Sequence, residues 1–146
     1  TRTGGRVVRL DVEPQPLRTI DLKPEHLKVV KDALIGVNQE GTGARAFVSA
    51  PYTSAGKTGT AQVVAIKQGE KYVESRVAER HRDHALFIAY APADKPKLAL
   101  AVLVENAGFG ARAAAPIARQ VFDYYLLGKA PVPVKPGKDD PSDTRD

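Results

Sequence analysis

The chain has 146 residues, 42% hydrophobic and 27% charged, a size that fits one domain and a balance that excludes both a disordered polyelectrolyte and a chain embedded in lipid. No apolar run approaches the roughly 20 residues of a spanning helix, no signal-peptide pattern is visible, and the absence of cysteine excludes disulfides, thiol nucleophiles and Cys-ligated zinc. The net charge of +5 would suit an anionic partner, but aromatics make up only 6% and the 22 Lys and Arg are scattered among 17 acids, which tells against a nucleic-acid surface.

In chain order, Val8, Leu10 and Val12 alternate with Arg9, Asp11 and Glu13, the period of a short strand with one wet face, and Pro14 and Pro16 end it. From Pro24 to about Gln39, Leu27, Val30, Leu34 and Val37 recur at helical spacing, with Pro24 suited to the first turn. Gly41-Thr42-Gly43 is the expected stop, through the left-handed conformation that glycine accepts. Residues 52–66 carry β-forming side chains around two glycines and predict a strand, narrow over Gly56–Gly59. A charged connector, 67–83, leads to Ala85–Tyr90 and then to Leu98–Val104. Both segments are apolar on successive residues, so they are expected to be covered on both faces, and their short connection makes them an antiparallel hairpin. Ala114, Ile117, Ala118, Val121, Phe122 and Tyr125 share a helical face, Tyr124 and Tyr125 are expected to pack, and Gly128 ends that helix. From Lys129 onward four prolines fall among four positive and four negative side chains, which predicts a disordered tail over 129–146 behind a domain of residues 1–128. The element order predicts an α/β (α+β) fold with an antiparallel sheet flanked by helices.

Gly56-Lys57-Thr58 is not a phosphate loop, because its first glycine would fall at Pro51 and a strand, not a helix, follows. Ser54-Ala-Gly-Lys57 has the letters of a serine nucleophile with a lysine base, but that pair needs a helix to share a face, and Gly56 argues against one here. Lys57-Thr58-Gly59-Thr60 reads better as the rim of a cleft. In an extended strand Thr58 and Thr60 share a face and can offer hydroxyls to a carboxylate. Gly59 keeps the wall low, and Lys57 supplies a fixed positive charge. Four letters alone are equally compatible with a solvated strand.

The rest of the chain adds landmarks in order: the helix before Gly41-Thr42-Gly43, Ser54 to Gln62, Glu79-Arg-His-Arg-Asp-His84 leading into Leu86 to Pro92, Val102 to Asn106, and the last helix. With Lys57 to Thr60 as the third motif, the chain resembles the carboxyl-terminal part of the transpeptidase domain of the class B penicillin-binding proteins, which is related to the serine β-lactamases. Within that class it is most similar to the branch that serves rod-shape elongation, judged by the Glu79 to His84 lead-in. The resemblance implies D,D-transpeptidation of peptidoglycan stem peptides through a serine acyl-enzyme, which β-lactams trap. Lys57 would then orient a second-motif serine, Thr58 and Thr60 would hold the carboxylate, Gly59 would line the cleft, and the Thr60 amide would be one oxyanion donor. No cofactor and no metal are implied. Partners would be the upstream part of the same protein and a glycan-polymerising membrane protein. An upstream anchor would place the protein at the bacterial inner membrane, on the periplasmic side.

The sequence departs from a complete enzyme: no Ser-x-x-Lys besides Ser54–Lys57 is present, and no Ser-x-Asn. The nucleophile is therefore expected upstream of Thr1, and this chain alone is expected to be inert. The alternative is a penicillin-binding-like module that has lost catalysis and serves as a scaffold. His81 and His84, with Glu79 and Asp83 nearby, could be drawn as metal ligands, but the surrounding arginines favour structural or solvated histidines. His26 reads as a surface residue.

Overall fold

The structure is a computed structural model, and the residues it describes are 2–3, 6–7, 13, 15–65 and 77–133. The strand expected around Val8 to Val12, the last residue of the strand expected over 52–66, residues 67–76 of the connector and residues 134–146 of the tail lie outside them. Strands β1 (Arg2–Thr3) and β2 (Arg6–Val7) form a two-stranded antiparallel ladder. Helix α1 (Pro24–Gln39) has its proline in the first turn, where a missing N–H costs no intrahelical bond. Its apolar stripe is used only in part: Leu34 and Val37 are half-buried, whereas Leu27 and Val30 are exposed. Only the carboxyl-terminal half of the helix comes under cover.

The stop after α1 departs from expectation. Neither Gly41 nor Gly43 has a positive φ, and Gly43 is right-handed at φ −87°. What these positions require is room. The chain doubles back on the helix through Gly41 N–H to Gly36 O and Gly43 N–H to Val37 O, both 2.9 Å, and a Cβ on Gly43 would stand 2.5 Å from Asn38 Oδ1. Helix α2 (Ala44–Phe47) follows directly.

The main sheet has the order β3 (Ala55–Ala61), β4 (His84–Ala91), β5 (Leu98–Val104), antiparallel throughout, so β3 and β5 are its edges. The register pairs Thr58 with Phe87 and Phe87 with Val102, and these positions share one face. On that face Ala85, Phe87, Ala89 and Ala91 are buried under helix α3 (Gly110–Leu127), which contributes Ala114, Ala115, Ala118 and Phe122. The run of alanines lets helix and sheet approach closely, and the space left at one end is filled by aromatic rings. Phe47 of α2 stacks on Phe87 at 5.8 Å between centroids and lies 6.3 Å from Phe122.

Among the described residues nothing covers the opposite face, whose cover the sequence reading assigns to the upstream part of the protein. Ile88 and Leu103 are 56% and 57% exposed, and Ala99 and Ala101 are open. The described residues put only one helix layer on the sheet, so the apolar positions of the second face remain bare. Tyr124 and Tyr125, expected to pack, are instead 62% and 59% exposed, because the buried side of α3 is centred on the alanines and Phe122. Gly128 closes α3 in the left-handed conformation, φ 68°, as expected. No described helix is long and apolar enough to cross a membrane.

Candidate active site

The sequence-predicted residues lie together on β3, an outer strand of the three-stranded sheet among the described residues. Lys57 pairs in register with Ile88 and Gly59 with Leu86, so both belong to the uncovered face, whereas Thr58 and Thr60 belong to the face under α3. The lysine nevertheless reaches its neighbour. Its ammonium donates to the Thr58 carbonyl at 2.9 Å and lies 3.5 Å from Thr58 Oγ1. Lys57 as a residue is exposed, Thr58 is buried, and Gly59 and Thr60 are half-buried. A cation, a hydroxyl and a strand edge are thus brought within one hydrogen-bonding neighbourhood beside an open apolar sheet face.

The strand is also held by the end of α1. Asn38, buried at that end, donates from Nδ2 to Ser54 Oγ at 2.9 Å, and Thr42 Oγ1 lies 2.8 Å from Thr58 Oγ1. Ser54 is therefore occupied by a structural contact in the extended chain just before β3. These two polar rungs were not singled out in the sequence. Gly41-Thr42-Gly43 looked like a stop alone, and the only available signal was that a threonine between two glycines stands within reach of whatever the helix end packs against.

The segment entering β3 is tied to α3 as well. Tyr52 donates to Asp123 Oδ1 at 2.7 Å, Arg119 Nε donates to the same oxygen at 2.9 Å, and Arg119 also donates to the carbonyls of Ala46 and Val48. The guanidinium lies 5.8 Å from the Tyr52 ring centroid. Burial alone would raise the Asp123 carboxyl. The Arg119 hydrogen bond, the Tyr52 hydroxyl and the positive charge of Arg119 outweigh it and hold the group below the usual carboxylate range. Burial and the adjacent Asp123 push the Tyr52 hydroxyl well above its ordinary value. Tyr52, Arg45, Val48 and Asn38 also line an open depression of about 850 Å³, which does not include Lys57 to Thr60.

The histidine-rich lead-in is structural where it can be followed. His84 Nδ1 accepts from the Asn106 amide at 3.0 Å, and Arg80 Nε approaches His81 Nε2 at 3.3 Å. Asp83 is buried, accepts from the Val63 amide at 3.1 Å through Oδ1, and its carbonyl accepts from Gly108 at 2.9 Å. Asp83 thereby links the exit of β3 to the entry of α3. Among the described residues no group of three or more His, Asp or Glu could hold a metal ion.

Residues 3–123 match the family model described as the penicillin binding protein transpeptidase domain. The chain is 49% identical over 107 residues to the peptidoglycan D,D-transpeptidase MrdA of Acinetobacter baumannii, covering 73% of this chain and 16% of that protein. The MrdA of Escherichia coli is 40% identical over 119 residues, covering 80% and 19%. Among solved structures, PBP2 of Pseudomonas aeruginosa in complex with WCK 5153 superposes with a TM-score of 0.65 at 38% identity, over 80% of this chain and 23% of that one. PBP2 of Helicobacter pylori, solved in a complex with MreC, gives 0.56 at 28% identity, over 71% and 18%. The chain therefore spans about a fifth or less of the length of either MrdA protein.

Proposed function

The chain belongs to the penicillin-binding protein transpeptidase domain family, and from that membership we propose that it is the Lys-Thr-Gly-Thr part of a peptidoglycan D,D-transpeptidase. The observation that carries the reading is the Lys57 ammonium held 2.9 Å from the Thr58 carbonyl on the outer strand of the described sheet. In the whole protein a serine from another segment attacks the penultimate D-alanine of a stem peptide and expels the last one, and the acyl group then passes to an amine of a neighbouring strand. Lys57 holds positive charge beside the attacking group and stabilises the anionic forms of substrate and transition state. Thr58 and Thr60 serve the carboxylate end, Gly59 leaves room on the cleft side, and Thr60 adds a backbone donor at the acyl oxygen. The bare face with Ile88, Ala101 and Leu103 is where the remainder of the domain packs, because an apolar sheet face left in water is a liability. The protein works on the periplasmic side of the inner membrane beside a glycan-polymerising partner.

The test is intact-mass analysis after incubation with a β-lactam, on the full-length protein and on this chain alone. A stable adduct on the first and none on the second is expected. No adduct on the full-length protein would favour the scaffold reading, and an adduct on this chain would overturn the assignment of the nucleophile to another segment.

A further inference from the structure

We propose that Thr42 is a positioning residue, which fixes the Thr58 hydroxyl and through it the Lys57 ammonium; this rests on the transpeptidase reading above. The Thr42 and Thr58 hydroxyl oxygens are 2.8 Å apart, and the ammonium lies 3.5 Å from the same Thr58 oxygen. A hydroxyl has one proton to donate and two lone pairs, whereas an ammonium can only donate. Lys57 therefore takes a lone pair of Thr58 Oγ1, and Thr42 settles what the rest of that hydroxyl does. Either hydroxyl can be the donor in that pair: with Thr42 donating into the second lone pair, the Thr58 proton is left for another acceptor, and with Thr58 donating, Thr42 takes that proton up. Without Thr42, the Thr58 hydroxyl loses the partner that fixes its orientation toward the ammonium, whose other described contact is the Thr58 carbonyl.

Thr42 is itself held firmly. Its two flanking glycines donate to Gly36 O and Val37 O of α1, each at 2.9 Å. Gly43 packs so tightly on Asn38 that a Cβ there would come to 2.5 Å, and Asn38 is bonded to Ser54 just before β3. The hydroxyl is thus carried by a helix end already fastened to the strand it addresses, the arrangement expected of a preorganised contact.

The experiment uses the full-length protein with Thr42→Val, which keeps the shape and removes the hydroxyl, and Thr42→Ser, which restores it. Ser54→Ala is the control, since it breaks the other rung without touching Lys57 or Thr58. Acylation by a β-lactam is resolved into the dissociation constant of the initial complex and the acylation rate within it, beside Tm. We expect Thr42→Val to slow the acylation step at least about tenfold with the dissociation constant little changed, and Thr42→Ser to recover most of the rate. Ser54→Ala should lower Tm without that selective loss. Equal acylation in Thr42→Val and wild type, or identical behaviour of Thr42→Val and Ser54→Ala, would overturn the proposal. If the wild type forms no adduct, the transpeptidase reading fails separately. The ¹³Cε signal of Lys57, assigned by its loss in Lys57→Arg, then decides: a shift in Thr42→Val that Thr42→Ser reverses supports the contact, and an unmoved signal refutes it.

Discussion

Gly110→Ala should damage the candidate site from a distant stretch of sequence, because the first residue of α3 stands directly on the backbone of the site strand. A Cβ there would lie 2.1 Å from the Leu86 carbonyl oxygen and 2.6 Å from that of Gly59. Real Cβ atoms do not approach closer than 3.0 Å, so helix and sheet must part by about 0.9 Å. Neither obstacle can swing aside. Both are main-chain atoms of the register pair Gly59 and Leu86, in the middle of the β3–β4 ladder. The start of α3 is also pinned by Gly108 N–H to Asp83 O at 2.9 Å. Overpacking of this kind costs about 1–3 kcal/mol. A displacement near 1 Å at a reacting strand can cost on the order of a hundredfold in rate. Thermal unfolding and β-lactam acylation of the full-length protein should both reveal it, as a Tm lower by several degrees and a rate reduced by roughly ten- to a hundredfold. Wild-type Tm with wild-type acylation would refute the close approach. Gly59→Ala makes the contrast, since its Cβ meets only Leu86 Cβ, at 3.4 Å. It should fold normally, and any loss of acylation then reflects the methyl group placed on the cleft side.

Lys57→Ala in the full-length protein should lower the acylation rate strongly with little change in Tm, because the residue is exposed and its contacts are local. Thr60→Val should slow acylation by roughly 10- to 100-fold if its hydroxyl meets the carboxylate, the worth of one hydrogen bond to a charged group; normal acylation in both variants would remove these residues from the site. Asp123→Asn should destabilise by about 1–3 kcal/mol in urea unfolding, since it removes the charged acceptor that Tyr52 and Arg119 share. The sign with pH follows from the shifts. The Asp123 carboxyl is depressed in the folded chain, so its contribution is complete above about pH 4, the unfolded value, and is lost as pH falls through the lower folded value. The Tyr52 hydroxyl is raised, so its contribution is complete below about pH 10 and is lost at higher pH. An acid-limb stability profile identical in wild type and Asp123→Asn would contradict this. Gly36→Ala, inside α1 with only Glu40 Oε1 at 4.0 Å from the new methyl, should raise stability by about 0.5–1 kcal/mol; a fall in Tm would show that another segment packs on that position.

Much of this fold could be read from local pattern. The 3.6-residue stripe and Pro24 located α1, the successive apolar residues of Ala85–Tyr90 and Leu98–Val104 located β4 and β5, and Gly128 located the end of α3, because each signal depends on neighbours close in the chain. The same local order placed Lys57 to Thr60 on a strand, while the pairing of the strands decided that it is the outer one of the described sheet. Where burial decided, the pattern was a weaker guide. Leu27 and Val30 lie on the apolar stripe of α1 yet are exposed, and Tyr125 lies on that of α3 with the same result, since a helix face is covered only where another element reaches it.

The residue order determined by itself which segments could be helix or strand and where a lysine and two threonines would fall on one of them, since backbone sterics and side-chain period act over a few residues. Only the tertiary structure decided that Thr42 meets Thr58, that Asn38 meets Ser54, that Tyr52 and Arg119 share Asp123 across some seventy residues, and that Gly110 abuts Gly59. Those contacts join chain segments through packing of α1 and α3 against β3. Hydrogen bonds that act over about 3 Å carry no trace in a sequence where their partners stand far apart.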